Sequence, residues 1–216
     1  MRINCVDTGK RFNRDWIFRH FNYEFITGGS YAITGPNGSG KSTLLQVIAG
    51  AIAASEGKVE YTMADGRWPM AGKQDTSAID SSYQHLSIAA PYLEVIEEMS
   101  VTEFLHFHST FKPFLPGFTI PKIIEAVGLE QAAAHKQIRY YSSGMKQRVK
   151  LAQAIFSDVP CVLLDEPCTN LDAAGVSLYQ GLVDSYCTGR LVIVSSNDVQ
   201  EFSFCKERIG IRDYKS

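Results

Sequence analysis

Short apolar runs alternate along this chain with longer stretches whose apolar residues recur at helical spacing. Ser30-Tyr31-Ala32-Ile33-Thr34, Leu86–Ala90, Cys161–Leu164 and Leu191–Ser195 carry no charge and have strand length. Runs of this kind suit strands buried on both faces, where polar residues cannot alternate with apolar ones. Further strands are predicted over Arg2–Asp7, Asn22–Ile26 and Lys58–Thr62. Helices are predicted from Lys41 to about Ala49 and from about Ala174 to Tyr186. Strands alternating with helices predict an α/β fold, a parallel or mixed sheet flanked by helices.

Two stretches depart from that rhythm. Residues 64–82 mix Gly, Pro, Asp, Ser and Thr, which predicts an irregular or hairpin loop. From Pro91 to about Leu151 the spacing is helical but broken by Pro113, Pro116 and Pro121, which predicts a helical subdomain inserted into the core. The expected organisation is one domain over residues 1–216, with its core at 1–90 and 152–216 and the helical subdomain at about 91–151.

Composition removes several classes of function. The 216 residues are 45% hydrophobic and 20% charged, ordinary for a soluble globular chain. A formal net charge of -2 provides no strong field for nucleic acid or anionic lipid, so no nucleic-acid partner is expected. The 5 cysteines are scattered and never spaced as CxxC, which argues against a disulfide framework or zinc site and for a reducing compartment. No apolar run approaches the ~18–20 residues needed to cross a bilayer. The N-terminus lacks the apolar region of a secretory signal. A cytoplasmic chain is expected, with membrane association through a partner.

The chemistry begins at Gly35-Pro36-Asn37-Gly38-Ser39-Gly40-Lys41-Ser42, which fits GxxxxGK[ST] between an expected strand and an expected helix. Glycines let the backbone curl with its amides directed at phosphate oxygens, and the helix N-terminus favours an anion. In this pattern Lys41 reaches the β- and γ-phosphates and the Ser42 hydroxyl ligates Mg²⁺, with Thr43 as a further phosphate contact. ATP and Mg²⁺ are the expected ligands. Val162-Leu163-Leu164-Asp165-Glu166 is an apolar run ending in two carboxylates. A buried strand would deliver Asp165 to the sheet edge as a second magnesium ligand, with Glu166 one residue beyond to orient or deprotonate a water.

These motifs fix nucleotide use, and a third narrows the family. Tyr141-Ser142-Ser143-Gly144-Met145-Lys146-Gln147-Arg148 resembles the LSGGQ signature of ABC-type ATPases and precedes the Asp165 run at the separation that family shows. Nearly the whole chain shares the resemblance. Lys10-Arg11-Phe12 looks like the aromatic A-loop, which implies that Phe12 stacks on adenine. Asn170-Leu171-Asp172 looks like the D-loop, Ser196-Asn197-Asp198 occupies the switch region, and Arg208-Ile209-Gly210-Ile211 looks like the last strand. The resemblance implies the P-loop fold with an ABC-type helical subdomain. It also implies a homodimer or paired ATPase subunit, in which Ser142, Ser143 and Gly144 of one chain contact ATP held by the other. Separate transmembrane permease subunits would complete a transporter on the inner face of the membrane. A weakly hydrolysing regulatory partner and a soluble non-transport ABC ATPase are the alternatives.

The sequence departs from the family pattern at several positions. Ser143 and Met145 replace the usual Gly and Gln of the signature. Asn197 stands where the family usually has His; an amide can hydrogen-bond to phosphate but cannot become cationic, so slower hydrolysis is expected. The usual Q-loop Gln is missing: Ala90 stands near its position, Gln84 is too early, and Glu94 is the candidate substitute. Phe104, Phe107, Phe111, Phe114 and Phe118 are expected mostly in the helical core. An apolar patch rimmed by Lys112, Lys122 and Glu125 is the other reading, as a permease-docking surface. His106 and His108 are two apart on a predicted helix and do not share a face, so no metal site follows.

Overall fold

The computed structural model describes residues 1–63 and 82–215. The loop predicted over 64–82 lies, except for Ser82, outside the described residues. Two sheets form the body. Strands β1 (Arg2–Phe12), β2 (Asp15–Ile26) and β4 (Glu56–Thr62) make an antiparallel sheet in the order β2-β1-β4. β1 and β2 run further than their apolar stretches predict, because each pairs with the other through polar ends as far as Phe12 opposite Asp15. Asn13, at φ 53, makes the turn between them, a conformation that Asn tolerates better than most residues.

The second sheet is parallel. Its order is β5 (Leu86–Ala89), β6 (Cys161–Asp165), β7 (Leu191–Ser195), β3 (Ser30–Thr34) and β8 (Glu207–Gly210). Every residue of β6 and β7 is buried, as their uninterrupted apolar runs require. Alternate side chains feed two cores. Leu163 and Ile193 face α1 (Lys41–Ile48) and the antiparallel sheet, among Ile3, Phe18, Phe25 and Leu45. Val162, Leu164 and Val194 face the other way, against the helices that follow β5.

Those helices are α2 (Val101–Ser109), α3 (Ile120–Ala126) and α4 (Ser143–Phe156), with α5 (Ala173–Tyr186) after β6 and the short α6 (Val199–Phe202) after β7. A capping box starts α2: Ser100 Oγ accepts from Glu103 N, and the Glu103 carboxylate accepts from Ser100 N at 2.8 Å. α4 runs straight through the expected boundary at 151 and joins helical region to sheet. Ser87 Oγ of β5 donates to Ala154 O of α4 at 2.6 Å.

The five phenylalanines divide. Phe104 is buried and Phe114 and Phe118 are packed against the core, so most are core as expected, while Phe107 and Phe111 are 44% and 64% exposed. Lys112 does not rim them with a free charge, because its Nζ donates to Leu86 O at 2.8 Å. His108 is packed, with Nε2 2.8 Å from Ser157 Oγ and its ring stacked on Phe114. No group of His, Cys, Asp and Glu suited to a metal ion occurs among the described residues.

Candidate functional site

β3 ends at Thr34, and the chain curls through residues 35–40 into α1. Gly35, Gly38 and Gly40 take φ values of 152, 72 and 103. Gly40 is doubly constrained, since a Cβ there would sit 2.4 Å from Ile17 Cγ2. As N-cap it brings no side chain to satisfy the first-turn amides of α1, and that turn holds no acidic residue. The unmet amides and the helix dipole therefore point at a cavity of about 200 Å³ lined by Gly38–Thr43, Ile17, Asn37 and Glu166. Pro36 and Asn37 form the exposed outer turn. Lys41 is 4% exposed and its Nζ spans the loop to Pro36 O at 3.3 Å, holding the cation at the cradle. Ser39 Oγ is buried without a partner among the described residues.

The adjacent corner comes from the end of β6. Asp165 is buried, and burial raises its pKa above the usual carboxylate range; Ser42 and Ser195 draw it back, while Glu166 pushes it up. Its Oδ1 has no hydrogen-bond partner among the described residues. A buried carboxylate oxygen left free, with the Ser42 hydroxyl close to the same group, is a hard-oxygen donor pair that fits Mg²⁺. Immediately beyond, Glu166 has φ 42, a left-handed conformation uncommon for a non-glycine residue. Its N–H donates to Ser195 O at 2.9 Å, so the turn is fastened to the end of β7. Glu166 lines both the cradle and an adjoining cleft of about 470 Å³ shared with Asn37, Asn197 and Glu201. Across that cleft mouth Asn197 Nδ2 donates to Asn37 Oδ1 at 3.2 Å.

The signature residues lie elsewhere. Ser142 is the N-cap of α4 and its Oγ accepts from Met145 N at 3.2 Å; Ser143 and Gly144 open the helix. With Asn170, Leu171 and Asp172 they line a third cavity, of about 590 Å³, which shares no lining residue with the cradle. A Cβ on Gly144 would come 2.9 Å from Asn170 O, and Asn170 itself has φ 66. Signature and D-loop thus pack backbone to backbone, which restricts position 144 to glycine.

Phe12 stands at the end of β1, 49% exposed, with Lys10 Nζ 5.1 Å from its ring centroid. It is not among the residues lining the cradle, whereas Ile17 of the neighbouring strand is.

None of the candidates for the missing glutamine lines the cradle. Ala90 is buried beyond β5, Glu94 is exposed, and exposed Gln84 donates to Tyr83 OH at 3.2 Å. Tyr92, on the same segment, is 43% exposed, and its phenol responds to the charge of Asp165. Its phenol is pushed up to about 12 by burial and by the charge of Asp165, against a side-chain hydrogen bond with Gln46. Gln46 lies one helical turn after Ser42 on α1.

A glycine loop at a helix N-terminus, a buried lysine beneath it and a carboxylate at the adjacent strand end define a P-loop nucleotide-binding domain. Residues 18–169 match the ABC transporter family, and the chain belongs to that family as an ATP-binding subunit and ATPase. It is 30% identical over 214 residues to the cytochrome c biogenesis ATP-binding export protein CcmA of Rhizobium meliloti, covering 95% of this chain and 96% of the relative. It is 32% identical to the protein of the same name in Rhodopseudomonas palustris, covering 96% and 95%. Its fold is similar to that of a dimeric bacterial ABC transporter cassette, with a TM-score of 0.77, 21% identity and coverage of 97% and 94%. No helix among the described residues is long and apolar enough to cross a membrane.

Proposed function

We propose that this subunit binds Mg-ATP at residues 35–43, with Phe12 against adenine, and hydrolyses it only when a second subunit supplies Ser142, Ser143 and Gly144. One observation carries this reading: the cradle and the signature cavity are separate on one chain. A phosphate held at the first therefore needs a second copy or a paired ATPase to meet the second. Ser42 and Asp165 would hold a bound Mg²⁺, which would supply charge neutralisation for the nucleotide phosphates. Lys41 and the loop amides hold those phosphates, Glu166 accepts the proton of the attacking water, and Asn197 donates to the γ-phosphate from the switch. ATP joins the two chains, and loss of the γ-phosphate releases them.

Permease subunits, peripheral contact with the inner face of the membrane, and a core at 1–90 and 152–216 carrying the helical subdomain complete the assignment. The export role in the relatives' names supports an outward direction of transport. Glu166→Gln tests the catalytic arrangement: hydrolysis should stop while ATP converts monomer to dimer in size-exclusion chromatography with light scattering. Continued hydrolysis, or a variant that stays monomeric with saturating Mg-ATP, overturns it. Affinity purification from solubilised membranes tests the permease, which should co-purify as a multi-span protein.

A further inference from the structure

Glu201 sits on α6, outside the lining of the cradle, and its environment is unusual for a helix residue. It is 5% exposed, and a buried carboxylate is costly unless it is bonded to something that needs it. Its Oε1 accepts from the backbone N–H of Cys168 at 2.8 Å, two residues past Glu166. Its Oε2 is buried without a partner among the described residues. The main chain of Glu201 is held as well: Tyr179 OH of α5 donates to Glu201 O at 2.8 Å, and Gln180 Nε2 donates to the neighbouring Gln200 O at 2.9 Å. Asp198, the N-cap of α6, accepts from Gln200 N, and its own N–H donates to Ser196 Oγ at 2.9 Å. One side chain thus ties the helix that follows Asn197 to the turn that carries Glu166, while α5 pins that helix from behind.

The tie bears on catalysis because of where the turn is weak. Glu166 holds a left-handed backbone, which persists only where its surroundings fix it. Two backbone bonds, Glu166 N–H to Ser195 O and Thr169 N–H to Glu166 O, hold its ends. Two side chains hold the turn between them: Glu201 Oε1 accepts from Cys168 N–H, and Gln147 Nε2 of α4 donates to Pro167 O at 2.8 Å, so Glu201 is the one that joins the turn to the switch helix. Glu201, Cys168, Glu166 and Asn197 all line the same 470 Å³ cleft.

We propose that Glu201 is a positioning residue for hydrolysis, clamping the switch helix to the Glu166 turn so that Glu166 and Asn197 face the γ-phosphate as one unit. This rests on Glu166 being the group that activates water. It predicts a loss in turnover and not in nucleotide binding, since Glu201 touches nothing in the phosphate loop. The raised pKa of Glu201, set by burial and then by Asp198 and Glu166 against Ser196 and the Cys168 amide, fits a carboxyl whose acceptor role does not require a charge.

Four variants, Glu201→Ala, Glu201→Gln, Cys168→Ala and Glu166→Gln, would be assayed for ATPase activity beside the wild-type chain, with ATP affinity by calorimetry. Glu201→Ala should lower kcat by about tenfold to a hundredfold, the scale of a misaimed catalytic group, with KM and ATP affinity within about twofold. Glu201→Gln, whose amide oxygen still accepts from Cys168 N–H, should keep most of the wild-type kcat. Cys168→Ala retains the backbone N–H and should be silent. An unchanged kcat in Glu201→Ala, or equal damage in Glu201→Gln and Glu201→Ala, overturns the proposal. So does a rise in KM that accounts for the loss. If Glu201→Ala does not fold, the contrast between Glu201→Gln and the wild type decides: substantial loss with intact folding overturns it. Persistent activity in Glu166→Gln refutes the catalytic reading itself, whatever the Glu201 variants do.

Discussion

Asn197 Nδ2 donates to Asn37 Oδ1 at 3.2 Å, so the switch segment touches the phosphate loop 160 positions earlier in the chain. Both residues are exposed at the cleft mouth, and an exposed amide pair between neutral groups contributes little stability. Its consequence is orientation. Asn197 is held over the loop, where an incoming γ-phosphate can replace Asn37 as its partner. An amide can donate there, but it carries no charge and moves no proton. Asn197→His should therefore raise kcat under saturating Mg-ATP by about tenfold, the low end of what a positioned acid–base group supplies. An equal or lower rate would show that Asn197 does not limit hydrolysis.

Tyr92 is 43% exposed on the segment that lacks the glutamine, and its phenol responds to the charge of Asp165. Tyr92→Phe removes the hydroxyl and keeps the ring, a change on the scale of at most one hydrogen bond of about 0.5–1.5 kcal/mol. Mg-ATP binding should weaken by about two- to tenfold in calorimetry, with ATP binding in EDTA unchanged. Equal weakening with and without magnesium would assign Tyr92 to packing.

How much of this was legible depended on the kind of signal. Residues 35–42, Asp165 and Glu166 carry their chemistry in local order, so their meeting at one sheet edge followed once strands were placed before each. The buried strands were legible because β6 and β7 are apolar on both faces. β1 and β2 were read short because their polar ends are held by each other, and pairing leaves no mark in one strand's hydropathy. The contacts made by Glu201 and Asn37 depend on groups converging from distant segments, which no spacing encodes. Lys112 reads as surface charge yet bonds Leu86 O, and nothing in the spacing of the five phenylalanines says that Phe107 and Phe111 are the two left outside the core. Composition does not reveal which residue of an amphipathic helix finds a carbonyl to bond.

Gly144 and Gly181 are both helical, and the structure separates them. A methyl at 144 meets Asn170 O at 2.9 Å, backbone that cannot move away cheaply, while nothing lies within 4 Å of a methyl at the exposed 181. Gly144→Ala should cost about 1–3 kcal/mol through overpacking and lower Tm by several degrees. It should also abolish ATP-driven dimerisation in a Glu166→Gln background, because the D-loop moves with it. Gly181→Ala, in the middle of α5, should instead gain about 0.5–1 kcal/mol. Calorimetric melting curves measure both, and a destabilised Gly181→Ala would mean that the helix is occluded by a partner.

His108 makes stability depend on acid. Burial pushes its pKa down to about 4, with the nearby charge of Lys112 adding to the effect. The folded protein therefore keeps the ring neutral over a range in which the unfolded chain, near the ordinary 6.5, takes up a proton. A depressed pKa of this kind contributes stability that is complete above about pH 6.5 and is lost as pH falls toward 4. The ceiling is about 3 kcal/mol, and the ring's partial exposure lowers the expected loss to about 1–2 kcal/mol. His108→Gln removes the titration while keeping a group able to bond Ser157 Oγ. Denaturant melts at pH 7 and pH 4.5 should show a larger loss for the wild type than for His108→Gln, by about 1 kcal/mol or more. Parallel losses would place the acid sensitivity in other groups.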